Sequence, residues 1–173
     1  MAGVIQNQET VQGTVETLVF APLRQPDLLP TVLPLIVGAL VIELYFGKYT
    51  SEELGWNTSV GNAVIWATTG INLLLTTEMT QQESYVAYGL ISLGGIIGYM
   101  DFFHKWPDTV AFVVSSSGIV YALAYVAAIM IKTPLSVTNV TLKGSLAFLI
   151  GINVIFKIMQ SMETSRETGF NYS

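Results

Sequence analysis

Long apolar stretches separated by short polar ones constrain this chain more than any other feature. Several of them approach the ~20 residues that an α-helix needs to cross the hydrocarbon core of a bilayer. Charged residues make up only 11% of the 173 residues, whereas a soluble domain carries about 25%. So few charges cannot cover a water-facing surface. The pattern predicts an all-α, polytopic transmembrane helical bundle embedded in the lipid bilayer of the cell membrane.

The apolar stretches predict about five spans, at residues 28–46, 60–77, 84–103, 109–131 and 140–159. Span two is the shortest and the most polar. We expect Ser84 to cap span three and Asp108 to cap span four.

Two flanking segments and one loop complete the predicted organisation. Residues 1–26 form the first segment, in which Val11, Val15, Leu18 and Val19 lie at helical spacing and predict an amphipathic helix in the interface. The alternative for that segment is a frayed tail. Residues 160–173 are predicted to form a polar tail. In the loop after span one, Ser51 and the acids that follow it predict a short interfacial helix.

The same loop carries a resemblance. The segments Glu43–Tyr49 and Glu52–Thr58 resemble the first loop of uncharacterised archaeal multi-pass membrane proteins. The resemblance implies a multi-pass membrane protein and brings no activity, cofactor or site residue with it.

The distribution of Lys and Arg predicts the orientation. With five spans, the basic residues on the N-terminal side would be Arg24, Lys132 and Lys143. Those on the opposite side would be Lys48, Lys105, Lys157 and Arg166. The positive-inside rule then predicts an outside N-terminus and a cytoplasmic C-terminus.

Glu43 is the only acid well inside an apolar stretch. An ionisable group at membrane depth is a functional-site hypothesis by default. Because Glu43 lies about one turn from the end of span one, we expect its carboxylate to reach the interface beside Tyr45 and Lys48 instead.

A second group of charged residues lies where spans three and four meet: Asp101, His104, Lys105 and Asp108. We interpret this group as a tight turn with ordinary solvated charges. The alternative is a proton or cation site that it shares with Glu43.

Several amides and hydroxyls lie within the spans, where lipid cannot satisfy them: Asn62, Asn72, Ser115, Ser116, Ser117 and Asn153. We expect these side chains to turn inward. They either hydrogen bond one helix to another, which is the commoner use, or line a polar path.

Gly94 and Gly98 form a Gly-x-x-x-Gly motif in span three. Two small residues at this spacing let helix backbones approach closely. The motif predicts tight helix packing, with a homodimer seam as the less favoured alternative.

The sequence offers no recognisable chemistry. It has no cysteine and one histidine, and it lacks the motifs of hydrolases and phosphate-binding loops. We therefore predict no catalytic residue, no metal site and no cofactor. Seven Lys and Arg residues and a net charge of −5 argue against a nucleic-acid partner.

These observations predict a small integral membrane protein without enzymatic activity. The favoured role is a scaffold or accessory subunit of a membrane assembly, which packs against copies of itself or against a membrane protein partner. The alternative is an oligomeric channel or transporter for an ion or small solute. In that case the amides and hydroxyls within the spans would line the path, and Glu43 would set the preference for cations.

Overall fold

The chain forms a bundle of α-helices. The computed structural model describes residues 10–48, 55–133 and 135–169. In these ranges the helices are α1 (Val11–Arg24), α2 (Leu29–Lys48), α3 (Trp56–Thr76), α4 (Gln81–Phe102), α5 (Asp108–Val114), α6 (Ser117–Lys132) and α7 (Asn139–Gly169). A short 3-10 turn joins α1 to α2, and the described ranges contain no strand. The predicted all-α class is confirmed.

Four helical segments are long and apolar enough to cross a membrane: Pro26–Lys48, Gln81–Phe102, Asp108–Lys132 and Asn139–Met162. They correspond to predicted spans one, three, four and five. Helix α3 has 21 residues, which gives a length of about 31 Å, but it is not among these four apolar segments. That α3 also crosses the membrane stays a prediction.

Several helix ends differ from the sequence-based expectations. The predicted Ser84 cap is wrong, because the Thr80 hydroxyl accepts from the Glu83 N–H and the Glu83 carboxylate accepts from the Thr80 N–H. This reciprocal pair is a capping box, and it starts α4 one turn earlier. Pro107 occupies the cap of α5, so Asp108 is its first helical residue. The interfacial helix expected at Ser51 lies outside the described residues.

Helix α7 runs through Gly169, so the first part of the expected polar tail is helical. Helix α1 lies against α7 and the end of α6. Its Thr14 and Leu18 are fully buried, and the Tyr125 hydroxyl donates to the Leu18 carbonyl at 2.6 Å. Gly144 of α7 leaves room for Thr14, since a Cβ there would lie 2.4 Å from the Thr14 Cβ. Residues 11–24 of this segment therefore form a docked helix and not a frayed tail.

Helices α3 and α4 pack against each other more extensively than any other pair among the described residues. A Cβ added at Gly94 would lie 2.6 Å from the Ala67 backbone nitrogen and 2.7 Å from the Ala63 carbonyl oxygen. At Gly98 the nearest atom would be the Ala63 Cβ at 3.5 Å, which is an ordinary contact. Gly94 thus packs backbone against backbone within the chain. Helix α3 occupies the surface that a second copy would need.

Helix α6 is the centre of the bundle. Thirteen of its 16 residues are buried, and α2, α3 and α7 all pack against it. The α3–α4 pair lies to one side, and α2 and α7 pack against each other as well as against α6. Between α2 and α3, along part of their length, lies an open cleft.

We expect Gly94→Ala to lower the stability of the protein by about 1–3 kcal/mol, because the new methyl group meets the α3 backbone and neither helix can give way cheaply. Gly95 is the matched control, since a Cβ there would meet nothing within 4 Å. Gly95→Ala should be neutral, or stabilising by up to ~1 kcal/mol through helix propensity. Thermal melting of both variants in mild detergent measures the difference, and equal melting temperatures would contradict the packing.

If α3 crosses the membrane together with the four apolar segments, the chain crosses five times and its termini lie on opposite sides. Reporter fusions at Met1 and Ser173 should then give opposite signals. Signals from the same side would mean that α3 does not cross.

Candidate site at a broken membrane helix

The fourth span is interrupted, although residues 109–131 were expected to form one continuous helix. At the end of α5, the Ser115 N–H donates to the Ala111 carbonyl at 2.9 Å. At the beginning of α6, the Ile119 and Val120 N–H groups donate to the Ser116 carbonyl at 3.1 and 2.9 Å. Ser116 has extended backbone angles. Serine favours helix caps and turns over helix interiors, which suits a break at this position.

The interruption frees backbone groups inside the protein. The N–H groups of Ser117 and Gly118 fall in the first turn of α6, where the helix offers no acceptor, and no described residue supplies one. They form the positive end of the α6 dipole. On the other side of the break, the Ser115 carbonyl accepts from the Asn62 amide at 2.7 Å. Irregular backbone at membrane depth is tolerated only where protein or a cavity surrounds it.

Glu43 lies against this positive end. Its side chain is 5% exposed, and its Oε1 accepts from the Ser117 hydroxyl at 2.6 Å. The expectation that it reaches the interface beside Tyr45 and Lys48 is wrong. Glu43 belongs to the buried stripe of α2, together with Val32, Leu35, Ala39 and Gly47. Tyr45, two residues further, points outward.

The second oxygen of the Glu43 carboxylate faces α7. Oε2 accepts from the Gln160 amide at 2.7 Å, and the Gln160 carbonyl oxygen accepts from the Lys157 ammonium at 3.1 Å. Lys157 is exposed. Both direct donors to the carboxylate are therefore neutral, and Lys157 is linked to it through one amide.

Gly118 makes room for this arrangement. A Cβ there would lie 2.4 Å from the Asn153 Oδ1 and 3.4 Å from the Glu43 Oε1. Asn153, on α7, donates to the Gly118 and Leu149 carbonyls at 3.3 and 2.9 Å. No larger residue fits at position 118 without moving Asn153.

Asp101 is the second buried carboxylate at the break. It is fully buried, and its two oxygens accept from the Trp106 indole N–H and the Ser115 hydroxyl, both at 2.7 Å. The interpretation of this turn as solvated charges is therefore wrong for Asp101. It holds for His104, Lys105 and Asp108, which are exposed.

The remaining polar residues predicted to turn inward differ in their exposure. Asn62 is 3% exposed and points inward, whereas Ser116 is half-buried and its hydroxyl makes no capping bond. The expectation of an inward side chain is wrong for Asn72, which is exposed because it lies on the rim of the cleft between α2 and α3.

Sequence reasoning missed Gln160. Gln160 lies seven residues after Asn153, on the same face of α7. That spacing could have identified it, had the helix been extended into the predicted tail.

The arrangement concentrates oxygen atoms around one break in the helical backbone. Ser115 bonds to Asp101 and Ser117 bonds to Glu43, so a three-residue segment links two buried carboxylates. Buried carboxylates and interrupted helices are elements that bind and release protons or cations in membrane proteins.

Ser117→Ala should destabilise the protein by about 1–3 kcal/mol, because it leaves one oxygen of the buried Glu43 carboxylate without its donor. Ser116→Ala is the matched control, one residue away and without a capping bond. We expect it to change stability much less. Chemical or thermal unfolding in detergent compares the two variants, and equal losses would mean that the Ser117–Glu43 bond contributes nothing.

The chain matches no protein-family model, and no curated protein or solved structure is detectably similar to it.

Proposed function

We propose that the protein carries protons or small monovalent cations across the membrane, with Glu43 as the group that binds them. The observation that supports this most is the burial of the Glu43 carboxylate against the start of α6 with only neutral direct donors. A buried charge is costly in this environment. An exchangeable proton or cation offsets that cost.

The break in the fourth span supports the same proposal. Discontinuous helices bring free backbone N–H and carbonyl groups to the depth at which transporters bind ions. Asp101 adds a second carboxylate beside the same segment, on the α5 side. A purely adhesive role for these polar groups needs neither two acids nor an interrupted helix, because neutral amides and hydroxyls suffice to join helices.

The scaffold or accessory role, which the sequence favoured, stays a prediction. One feature on which it rested is accounted for within the chain, since Gly94 packs against α3. We therefore favour the transport alternative over the scaffold.

Reconstituted liposomes test the proposal. With a pH-sensitive dye inside and an imposed gradient, the protein should move protons faster than empty liposomes do. A sodium-sensitive dye, used in parallel, distinguishes a cation from a proton. Glu43→Gln keeps the size of the side chain and removes its charge, so flux should fall to the level of empty liposomes.

Glu78→Gln is the control, because Glu78 is an exposed acid in the short connection between α3 and α4. It should leave flux unchanged. Flux by the unaltered protein that equals the empty control for both ions, or full flux in Glu43→Gln, would refute the proposal.

A further inference from the structure

The cleft between α2 and α3 is a second polar feature of the bundle, separate from the helix break. It has a volume of about 280 Å³. Its walls are the first turns of α2 and the second half of α3, and its lining residues are Pro30, Thr31, Pro34, Leu35, Ile65, Thr68, Thr69, Asn72 and Tyr121. Pro30, Pro34, Thr68 and Asn72 are exposed at the rim, while Leu35, Thr69 and Tyr121 are buried. The cleft thus has an open mouth and a buried floor.

Two hydroxyl groups of the floor have no partner. Thr69 is 8% exposed and Tyr121 is 9% exposed, yet neither hydroxyl hydrogen bonds to any residue that the structure describes. Thr68, the neighbour of Thr69, differs in this respect. Its hydroxyl donates to the Val64 and Ile65 carbonyls at 2.8 and 3.2 Å. Neither oxygen is fully enclosed, since the fully enclosed side-chain oxygens without a partner in the described residues are those of Ser59 and Thr77. The Thr69 and Tyr121 hydroxyls therefore open into the cleft, where they are available to a ligand.

The residues that line the cleft indicate which kind of ligand it binds. None of the nine lining residues carries a charge, and a charged molecule would lose its hydration without gaining an opposite charge. Hydroxyls and the Asn72 amide can donate and accept hydrogen bonds, while Leu35, Ile65 and the prolines form apolar walls. We infer that the cleft binds a small uncharged solute that carries hydroxyl or amide groups.

This inference rests on the proposed function and extends it, since the solute would be the cargo that moves together with the proton or cation. Tyr121 connects the cleft with the helix break. It lies one helical turn after Ser117 on α6, and its ring packs against Gly38, where a Cβ would lie 2.6 Å from the ring. Gly38 is in turn five residues before Glu43 on α2.

The absence of cysteine from the chain makes a direct binding test simple. Ile65→Cys places a single thiol in the apolar wall of the cleft. Its rate of labelling by a membrane-impermeant maleimide is measured in lipid nanodiscs, with glycerol and with urea as probes. Glycerol or urea should slow the labelling, and choline chloride at the same concentration should not.

Two further substitutions in this background locate the site. Thr69→Val and Tyr121→Phe remove the unpartnered hydroxyls and should each raise the concentration for half-protection by about three- to tenfold. Thr68→Val is the matched control and should leave it unchanged, because the Thr68 hydroxyl is already bonded to the backbone.

The outcomes separate this inference from the proposed function. Protection that Thr69→Val weakens and Thr68→Val does not supports the cleft, even if liposomes show no ion flux. Ion flux without protection by either probe overturns the cleft and leaves the proposed function standing. Labelling that is already blocked in nanodiscs and restored in detergent means that a lipid fills the cleft, which also overturns the inference.

Discussion

A chain embedded in lipid must form the hydrogen bonds of its backbone polar groups within the protein. At the break at Ser115 and Ser116, side chains provide such hydrogen bonds. Three elements contribute. Asn62 from α3 bonds to the Ser115 carbonyl, Asp101 from α4 bonds to the Ser115 hydroxyl, and Glu43 from α2 bonds to the Ser117 hydroxyl. Polar residues of α2, α3 and α4 are therefore joined to one another through the broken span. If the span were one continuous helix, these hydrogen bonds would not be available to compensate for the burial of the Glu43 and Asp101 carboxylates.

The architecture follows from placing the interrupted span at the centre. Helix α6 packs against α2, α3 and α7, whereas α4 is held mainly by α3 and α1 mainly by α7. Trp66 of α3 donates its indole N–H to the Val120 carbonyl of α6 at 2.9 Å. This hydrogen bond adds to the apolar contact between the two helices. Small residues bring the α3–α4 pair together at Gly94 and also at Gly70, where a Cβ would lie 2.6 Å from the Ala87 carbonyl oxygen. The cleft lies beside α6, where α2 and α3 separate.

Much of the fold could be predicted from the sequence, because apolar runs of sufficient length have one stable solution in lipid. The four apolar spans and the inward direction of Asn62 follow from that rule. The break could not be predicted, since residues 115–117 lie in an apolar stretch that reads as one helix and their hydroxyls can also bond within a helix. The burial of Glu43 depends on the rotation of α2, which the partners of the helix decide. Asp101 lies at a turn in the sequence, and only its tertiary contacts with Trp106 and Ser115 bury it.

Amide hydrogen exchange along the fourth span tests the central claim most directly, because exchange reports the hydrogen bond of each N–H. In nanodiscs, followed by NMR, the N–H groups of Ser117 and Gly118 should exchange measurably faster than those of Ala127 and Ala128 in the same helix. The first pair has no described acceptor, and the second pair lies within the regular ladder of α6. Uniform protection from residue 111 to residue 131 would show a continuous helix, and the site built on its interruption would not exist.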